Sequence, residues 1–468
     1  MISNNQFRGK NVFVLGLGRT GLSVLTAFQK IGIEAMGWDD NPKSREEARS
    51  FGFKIEDITF KTNWQNTDLL VISPGIPYLY PKPHQVIANA RKKSVIIDND
   101  IGIFFSALNM ENWYEFDRQP KIIAVTGSNG KSTTSYLIKH IITNAGIRSE
   151  IGGNFGRPVL SFLPFTDGDV KIIELSSYQL EVARYLKADI NIFLNFSPDH
   201  LERHGGIGGY FNAKKRLFTD GSSEKNIVCV DDIEGEYLYH SLESNELTKG
   251  SNVAFGSSTK NMDFYNSVSI EENYLVEKSK GRRIASIDIT EFMDKLKVYN
   301  YQNICAAYAA CRALNISPKI IENSLKTFGG LPHRNQFVLE KSGIKYINDS
   351  KATNVESVKN SISHYDNIHL ILGGLPKEGG IINLVKHMGK VKKVYLIGDA
   401  VKLFSEQLSG AIDFEISNHL EVAIGSARRN ATDGDCILLA PACASFDQFK
   451  DFEERGNKFI SLVKGLQN

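Results

Sequence analysis

The chain has 468 residues, 42% of them hydrophobic and 23% charged, an ordinary balance for a soluble globular protein with sizeable cores that should hold about three domains of roughly 150 residues each. A formal net charge of +2 argues for neither a nucleic-acid nor a membrane partner, and no apolar run approaches the roughly 20 residues that span a bilayer. The five cysteines (Cys229, Cys305, Cys311, Cys436, Cys443) are odd in number and never spaced C-x-x-C, which speaks against a disulfide framework or zinc site and, with a polar N-terminus lacking a signal core, for a cytoplasmic protein.

The first block opens with a strand over 11–15, then Gly16-Leu17-Gly18-Arg19-Thr20-Gly21, then a helix over 22–31. G-x-G-x-x-G between a strand and a helix aims backbone N–H groups and the helix dipole at an anion. A second strand, 34–38, ends at Asp39-Asp40, where an acid can bond a ribose hydroxyl. Alone this suits NAD, but the fingerprint certifies only a nucleotide-type phosphate near a helix start. A strand over 68–73 meets the sharp turn Pro74-Gly75-Ile76-Pro77, and the last strand of the block is 95–97. The polar stretch 109–119 reads as a linker or surface excursion.

The second block carries the most informative stretch, KIIAVTGSNGKSTT over 121–134. A short apolar strand runs into Gly127-Ser128-Asn129-Gly130-Lys131-Ser132, and a helical pattern follows. Such a loop wraps phosphates, with Lys131 as a charge for the terminal ones and the Ser132 hydroxyl suited to magnesium. The match is not a strict Walker A, whose first glycine would fall at Val125. ATP binding is the reading. Two further strands, 171–177 and 190–195, carry Glu174 and Asp199-His200 at or after their C-terminal ends, where ligands of open parallel sheets sit. Residues 257–294 are polar with short alternating runs, which predicts a small antiparallel piece, and 300–314 an alanine-rich helix.

The third block begins near Leu331-Pro332-His333-Arg334. Strands are expected at 344–347, 369–372, 394–397 and 436–440, with helical patterns between them and an amphipathic helix over 449–466. Alternation of this kind predicts a parallel sheet covered on both faces. The fold class is α/β in three domains: 1–99 Rossmann-like, 100–329 a P-loop-type ATPase domain with a mostly parallel sheet, and 330–468 Rossmann-like again.

Polar clusters follow the strands: Gly152-Gly153-Asn154, Glu174, Asp199-His200, the LPHR segment, INDSKATN over 347–354, and PACASFDQFKDFEERG over 441–456. Singly, each has a bland explanation as a structural histidine or a surface charge. Together, in this order, with GSNGKS and ELSSYQLE, they resemble the Mur ligase family over essentially the whole chain. Within it the match is to the branch that adds D-glutamate to UDP-N-acetylmuramoyl-L-alanine.

The resemblance implies an ATP-dependent ligase working through an acyl phosphate in peptidoglycan precursor synthesis, with two Mg2+ ions, in a monomer. It implies that Gly127, Ser128, Asn129, Gly130, Lys131, Ser132 and Thr133 hold the phosphates. Asn300 and Asn303 would serve the adenine side, and Arg334 and Asp349 would reach ATP from the third domain. Ser132 and Glu174 would hold one magnesium, and His200 the second together with Lys214 as a carbamate. Without the resemblance, Lys214 is a solvated helix lysine. Leu17, Arg19, Thr20, Asp39, Ser73 and Asn154 would contact the UDP substrate. Lys351 would face the acyl phosphate, and Thr353, Lys377, Ser445 and Phe452 the D-glutamate. Departures from the family pattern fall at Lys297-Val298-Tyr299, at Cys229-Val230 before Asp231-Asp232, and at Asp40-Asn41. Open alternatives are a ligase for another amino acid, a folylpolyglutamate-type enzyme, and an NAD-dependent oxidoreductase using Gly16 to Gly21.

Overall fold

The computed structural model describes residues 4–59, 64, 66–109, 113–221, 223–257, 264–292, 300–376 and 379–466. The chain divides into two compact units, Met1–Phe328 and Gly329–Asn468.

The first unit contains two sheets. The smaller is built from β1 (Val12–Leu15), β2 (Ala35–Trp38), β3 (Lys54–Ile55), β4 (Leu69–Ile72) and β5 (Ile96–Asp98), in the order β3-β2-β1-β4-β5. All neighbours run parallel, with Val12 opposite both Ala35 and Leu69. The strand order reverses between β1 and β4, so the loops after them diverge and leave a crevice. β1 and β4 are apolar and buried throughout, as strands covered on both faces must be.

The larger sheet holds β6 (Lys121–Thr126), β7 (Ser149–Gly153), β8 (Val170–Glu174), β9 (Ile190–Phe193), β10 (Lys225–Cys229), β11 (Asn252–Gly256), β12 (Asn266–Glu271), β13 (Tyr274–Ser279) and β14 (Arg282–Asp288). Their order is β14-β13-β12-β11-β10-β9-β6-β8-β7. β6 lies between β8 and β9, parallel to both, so its C-terminal end is a second switch point. Its pleat sends Ile123 and Val125 to one core, with Leu137, Ile141, Ile304 and Ala307. Ile122 and Ala124 go to the other, with Phe104, Phe105 and Phe193. The antiparallel piece expected over 257–294 exists as β12-β13-β14, yet it is not a separate element. β12 pairs parallel with β11 and the meander widens the same sheet.

The second unit has one sheet of β15 (Gln336–Lys341), β16 (Ile344–Asn348), β17 (Ile368–Gly373), β18 (Val391–Ile397), β19 (Phe414–Asn418) and β20 (Cys436–Leu439), in the order β15-β16-β20-β17-β18-β19. Only β15 is antiparallel to its neighbour.

Several boundaries differ from the sequence expectation for local reasons. The helix after β1 is Arg19–Lys30, because Gly18 is already its N-cap. The alanine-rich helix is Tyr301–Ala313, with the Asn300 side chain accepting from the N–H of Gln302. The last helix is Phe452–Lys464, capped by the Asp451 side chain. Within 109–119, Trp113 packs edge-on against Phe165 at 5.5 Å, so this part is anchored to the body of the unit. Among the described residues no helix is long and apolar enough to cross a membrane, and all five cysteines are buried.

Candidate active site

The phosphate loop grows out of the buried strand β6 and opens the helix Lys131–Asn144. Gly130 sits at φ 82, and a Cβ there would collide with the Asn303 side chain, so only glycine fits. Asn303 also accepts from the Thr134 hydroxyl at 3.2 Å, which brings the helix Tyr301–Ala313 against the loop. The loop is fastened to the segment after β9. The N–H of Asn129 donates to Asn195 Oδ1 at 2.8 Å, and the Ser128 hydroxyl donates to the Ser197 carbonyl at 2.9 Å. Thr133, in the first turn of the helix Lys131–Asn144, is buried.

Two lysines converge here. Lys131 Nζ donates to the carbonyls of Gly127 and Ser128, both at 2.9 Å. Lys214 Nζ donates to the same Gly127 carbonyl at 2.8 Å and lies 4.6 Å from the centre of the Tyr210 ring. Lys214 is 1% exposed, so the solvated-lysine reading fails. Helical periodicity alone treats a lysine as a polar-face residue and could not reveal this. Burial first, and the Lys131 charge second, push its pKa well below the ordinary lysine value. That favours the neutral amine, the form able to add carbon dioxide.

At the end of β8, Glu174 is 2% exposed. Its Oε2 accepts from the Ser132 hydroxyl at 2.8 Å and its Oε1 from Asn154 Nδ2 at 2.9 Å. A buried carboxylate beside a hydroxyl oxygen, at the foot of a phosphate loop, fits a hard divalent cation such as Mg2+. His200 is held elsewhere. Its backbone is left-handed at φ 52, and its half-exposed ring faces Asp199 at 3.4 Å and Tyr178 at 5.1 Å. Among the described residues no group of three or more His, Cys, Asp or Glu side chains is arranged around a metal position. The structure thus gathers Ser132, Glu174 and Asn154, and separately Lys131 and Lys214.

The glycine-rich loop after β1 is organised by Asp39. Its Oδ2 accepts the N–H of Leu17 at 2.7 Å and its Oδ1 that of Asn41 at 2.8 Å. Ser73, at the end of β4, donates its hydroxyl to the Gly16 carbonyl at 2.8 Å. Leu17 offers only backbone to this crevice, since its side chain belongs to the core. Arg19 and Thr20 form the first turn of the helix. Arg45, not singled out from sequence, donates to the Asp39 carbonyl at 2.6 Å and stacks 4.5 Å from the Trp38 ring.

In the second unit the segments after β16 and β20 meet. Lys351 Nζ lies 5.6 Å from the Phe452 ring, and the N–H of Thr353 bonds the Lys351 carbonyl. Ser445 is buried and its carbonyl accepts from Phe449 at 2.8 Å. Asp349 is buried against the Ser361 hydroxyl, and burial raises its pKa while Ser361 and the Arg334 charge oppose the rise. Lys377 and the 297–299 departure lie outside the described residues. The residue that ties this region together was missed from sequence. Arg455, 1% exposed, donates to Ser350 Oγ at 3.0 Å, the Ser350 carbonyl at 2.9 Å and the Cys443 carbonyl at 3.1 Å. Its signal was available, because Phe452, Arg455, Phe459 and Val463 recur at helical spacing and put an arginine on the apolar stripe.

With that geometry in hand, three family models match the chain: Mur ligase MurD-like N-terminal domain over 10–97, Mur ligase middle domain over 125–311, and Mur ligase, glutamate ligase domain over 333–443. The UDP-N-acetylmuramoylalanine–D-glutamate ligase of Cereibacter sphaeroides is 46% identical over 467 residues, covering 100% of both chains. That of Ruegeria pomeroyi is 45% identical over 468 residues, covering 99% of both. Among solved structures, the UDP-N-acetylmuramate-alanine ligase of Thermotoga maritima aligns with a TM-score of 0.57 at 17% identity, over 97% of this chain and 99% of that one, a likeness of fold alone. The matched models span all three sheets and the relatives match end to end: the chain belongs to the Mur ligase family, ATP-dependent ligases that form amide bonds in peptidoglycan synthesis.

Proposed function

We propose that the chain joins D-glutamate to the alanine carboxylate of UDP-N-acetylmuramoyl-L-alanine, with ATP consumed to ADP and phosphate, as a monomer in the cytoplasm. The observation that supports this best is end-to-end identity of 46% to a relative named for that reaction. The Lys131–Ser132–Glu174 cluster supplies the ATP chemistry it requires.

An alanine carboxylate oxygen attacks the γ-phosphorus, the bond to the bridging oxygen breaks, and ADP leaves an acyl phosphate behind. The deprotonated amine of D-glutamate then adds to the acyl carbon. The tetrahedral adduct gives up an amine proton and expels phosphate, leaving the amide. Charge spread over the transferred group calls for positioning and cations more than covalent help. The backbone of Gly127 to Thr133 cradles the phosphates, and Lys131 exchanges the carbonyls of Gly127 and Ser128 for phosphate oxygens. Two Mg2+ ions, one at Ser132 and Glu174 and one at His200 with Lys214, would neutralise phosphate oxygens. Lys214 would take part as a carbamate: its neutral nitrogen adds to carbon dioxide and releases a proton, turning an amine into an oxygen anion that suits a hard metal.

By family correspondence, Asn300, Asn303, Arg334 and Asp349 belong to the nucleotide. Leu17, Arg19, Thr20, Asp39, Ser73 and Asn154 belong to the UDP substrate, Lys351 to the acyl phosphate, and Thr353, Lys377, Ser445 and Phe452 to D-glutamate. The corresponding domains are 1–99, 100–329 and 330–468. A lysine and a hydroxyl pairing the side-chain carboxylate distinguish glutamate from uncharged amino acids. Phosphate release with UDP-N-acetylmuramoyl-L-alanine, ATP and Mg2+ is therefore expected with D-glutamate and much less with L-glutamate, D-aspartate or D-alanine. Equal turnover with L-lysine or diaminopimelate would overturn the assignment.

A further inference from the structure

A line of contacts runs from the loop after β4 to the phosphate loop, through residues that the roles above leave unused. At one end, Arg203 donates to the Ile76 carbonyl, and at 3.4 Å to the Tyr80 carbonyl. Ile76 in turn donates its N–H to the Ser73 carbonyl at 3.0 Å, and Ser73 holds Gly16. The approach is close, since a Cβ on Gly205 would lie 2.7 Å from the Tyr80 ring. The Arg203 side chain is nearly buried, 3.8 Å from Glu181, with its guanidinium 5.0 Å from the centre of the Tyr178 ring.

From there the line continues through packed rings. Tyr178 stacks on His204 at 5.4 Å and 23°, and His204 packs on Tyr210 at 5.4 Å. The Tyr210 hydroxyl lies 3.1 Å from Ser128 Oγ in the phosphate loop. His204 is fixed from the side by the Ser177 hydroxyl at 2.9 Å. Burial pushes its pKa down to about 4, so the ring is neutral at pH 7 and adds no charge beside Lys214.

A buried guanidinium that loses its acceptors cannot recover them from water, so the loop over 76–80 is costly to move independently of Arg203. Packed rings transmit such a constraint because close-packed interiors deform little. We propose that Arg203 and Tyr210 are positioning residues that couple the loop after β4 to the phosphate loop, so that the UDP substrate and ATP each favour binding of the other. This rests on the function proposed above, which places those two ligands at these two loops. Coupling of this kind is reciprocal.

The test is calorimetric titration of a non-hydrolysable ATP analogue with Mg2+, and of UDP-N-acetylmuramoyl-L-alanine, each with and without the other. In the parent the ratio of affinities should be about 5–50. In Arg203→Met and in Tyr210→Phe it should fall by about 3–10-fold, the worth of one such hydrogen bond, and Arg203→Lys should recover part of it. A general loss of affinity cancels in the ratio, so a merely structural role would leave it unchanged. Tyr210→Phe removes one oxygen and keeps the ring, so it decides the matter if Arg203→Met does not fold. Parental ratios in the folded variants, or a ratio of one in a parent that binds both ligands, would overturn the coupling alone. A parent that fails to bind the UDP substrate would overturn the proposed function, and the coupling with it.

Discussion

Two glycine-rich loops in this chain occupy the same structural place and carry different chemistry. Each leaves a buried parallel strand at a switch point and opens a helix, Arg19–Lys30 in one case and Lys131–Asn144 in the other. The loop after β1 is closed by its own neighbours: Asp39 takes the N–H of Leu17, and Ser73 holds the Gly16 carbonyl. The loop after β6 gathers Lys131 and Lys214 on one carbonyl and stands beside the Ser132–Glu174 pair. Backbone geometry suits both for a diphosphate. At the first, both Asp39 oxygens are taken up by backbone N–H groups, whereas the second brings two lysines and a metal-suited carboxylate together. A glycine fingerprint therefore locates an anion, and the residues around it decide whether the anion is held or transferred.

The largest effect should come from Lys131. Lys131→Ala removes the charge proposed to stabilise the transferring phosphoryl group and should cost about 10²–10³ in kcat, the scale for one transition-state contact, while thermal melting stays cooperative. A folded variant that keeps most of its turnover would erase the distinction between the loops.

Next in size is Lys214. Lys214→Ala removes the nitrogen proposed to carry the carbamate, and loss of a group that positions a metal typically costs about 10–100-fold. Acetate or formate should restore part of the rate by supplying the missing carboxylate. Because burial and Lys131 depress the amine's pKa, the proposed carbamate should form without a strongly alkaline medium. Parental activity in the variant would return Lys214 to a packing role.

How much of this could be read from sequence follows from which forces local patterns record. The phosphate loop and the strands β6, β8, β17 and β20 were legible because short apolar runs end in glycine or polar clusters. β7 was not, since SEIGG carries two glycines and little apolar signal. β15 and β19 also escaped; both are edge strands with exposed positions, where pairing rather than burial makes the strand. Charges were the harder class. Lys214, Arg203 and Arg455 are buried because carbonyls, hydroxyls and ring faces from distant segments receive them, and no local window contains those partners. For the same reason the family resemblance could name Lys214 while the pattern around it could not.

The smallest effect should separate holding from transfer most cleanly. Asp39 accepts two backbone N–H groups, one on each oxygen. Asp39→Asn keeps the shape but turns an NH2 toward one of those donors, leaving an N–H without its acceptor and misplacing either the Leu17 or the Asn41 backbone. The cost of such a mismatch is about 1 kcal/mol, which corresponds to roughly a three- to tenfold rise in KM for UDP-N-acetylmuramoyl-L-alanine. Since the first loop is proposed only to hold its ligand, binding should weaken equally in the ground and transition states. The kcat should then stay within about twofold of the parent, because loss of uniform binding raises KM alone. Steady-state kinetics with the UDP substrate varied at saturating ATP and D-glutamate reads both constants. A fall in kcat at unchanged KM would mean that the loop after β1 acts on the transferring group, and the contrast between the two loops would not stand.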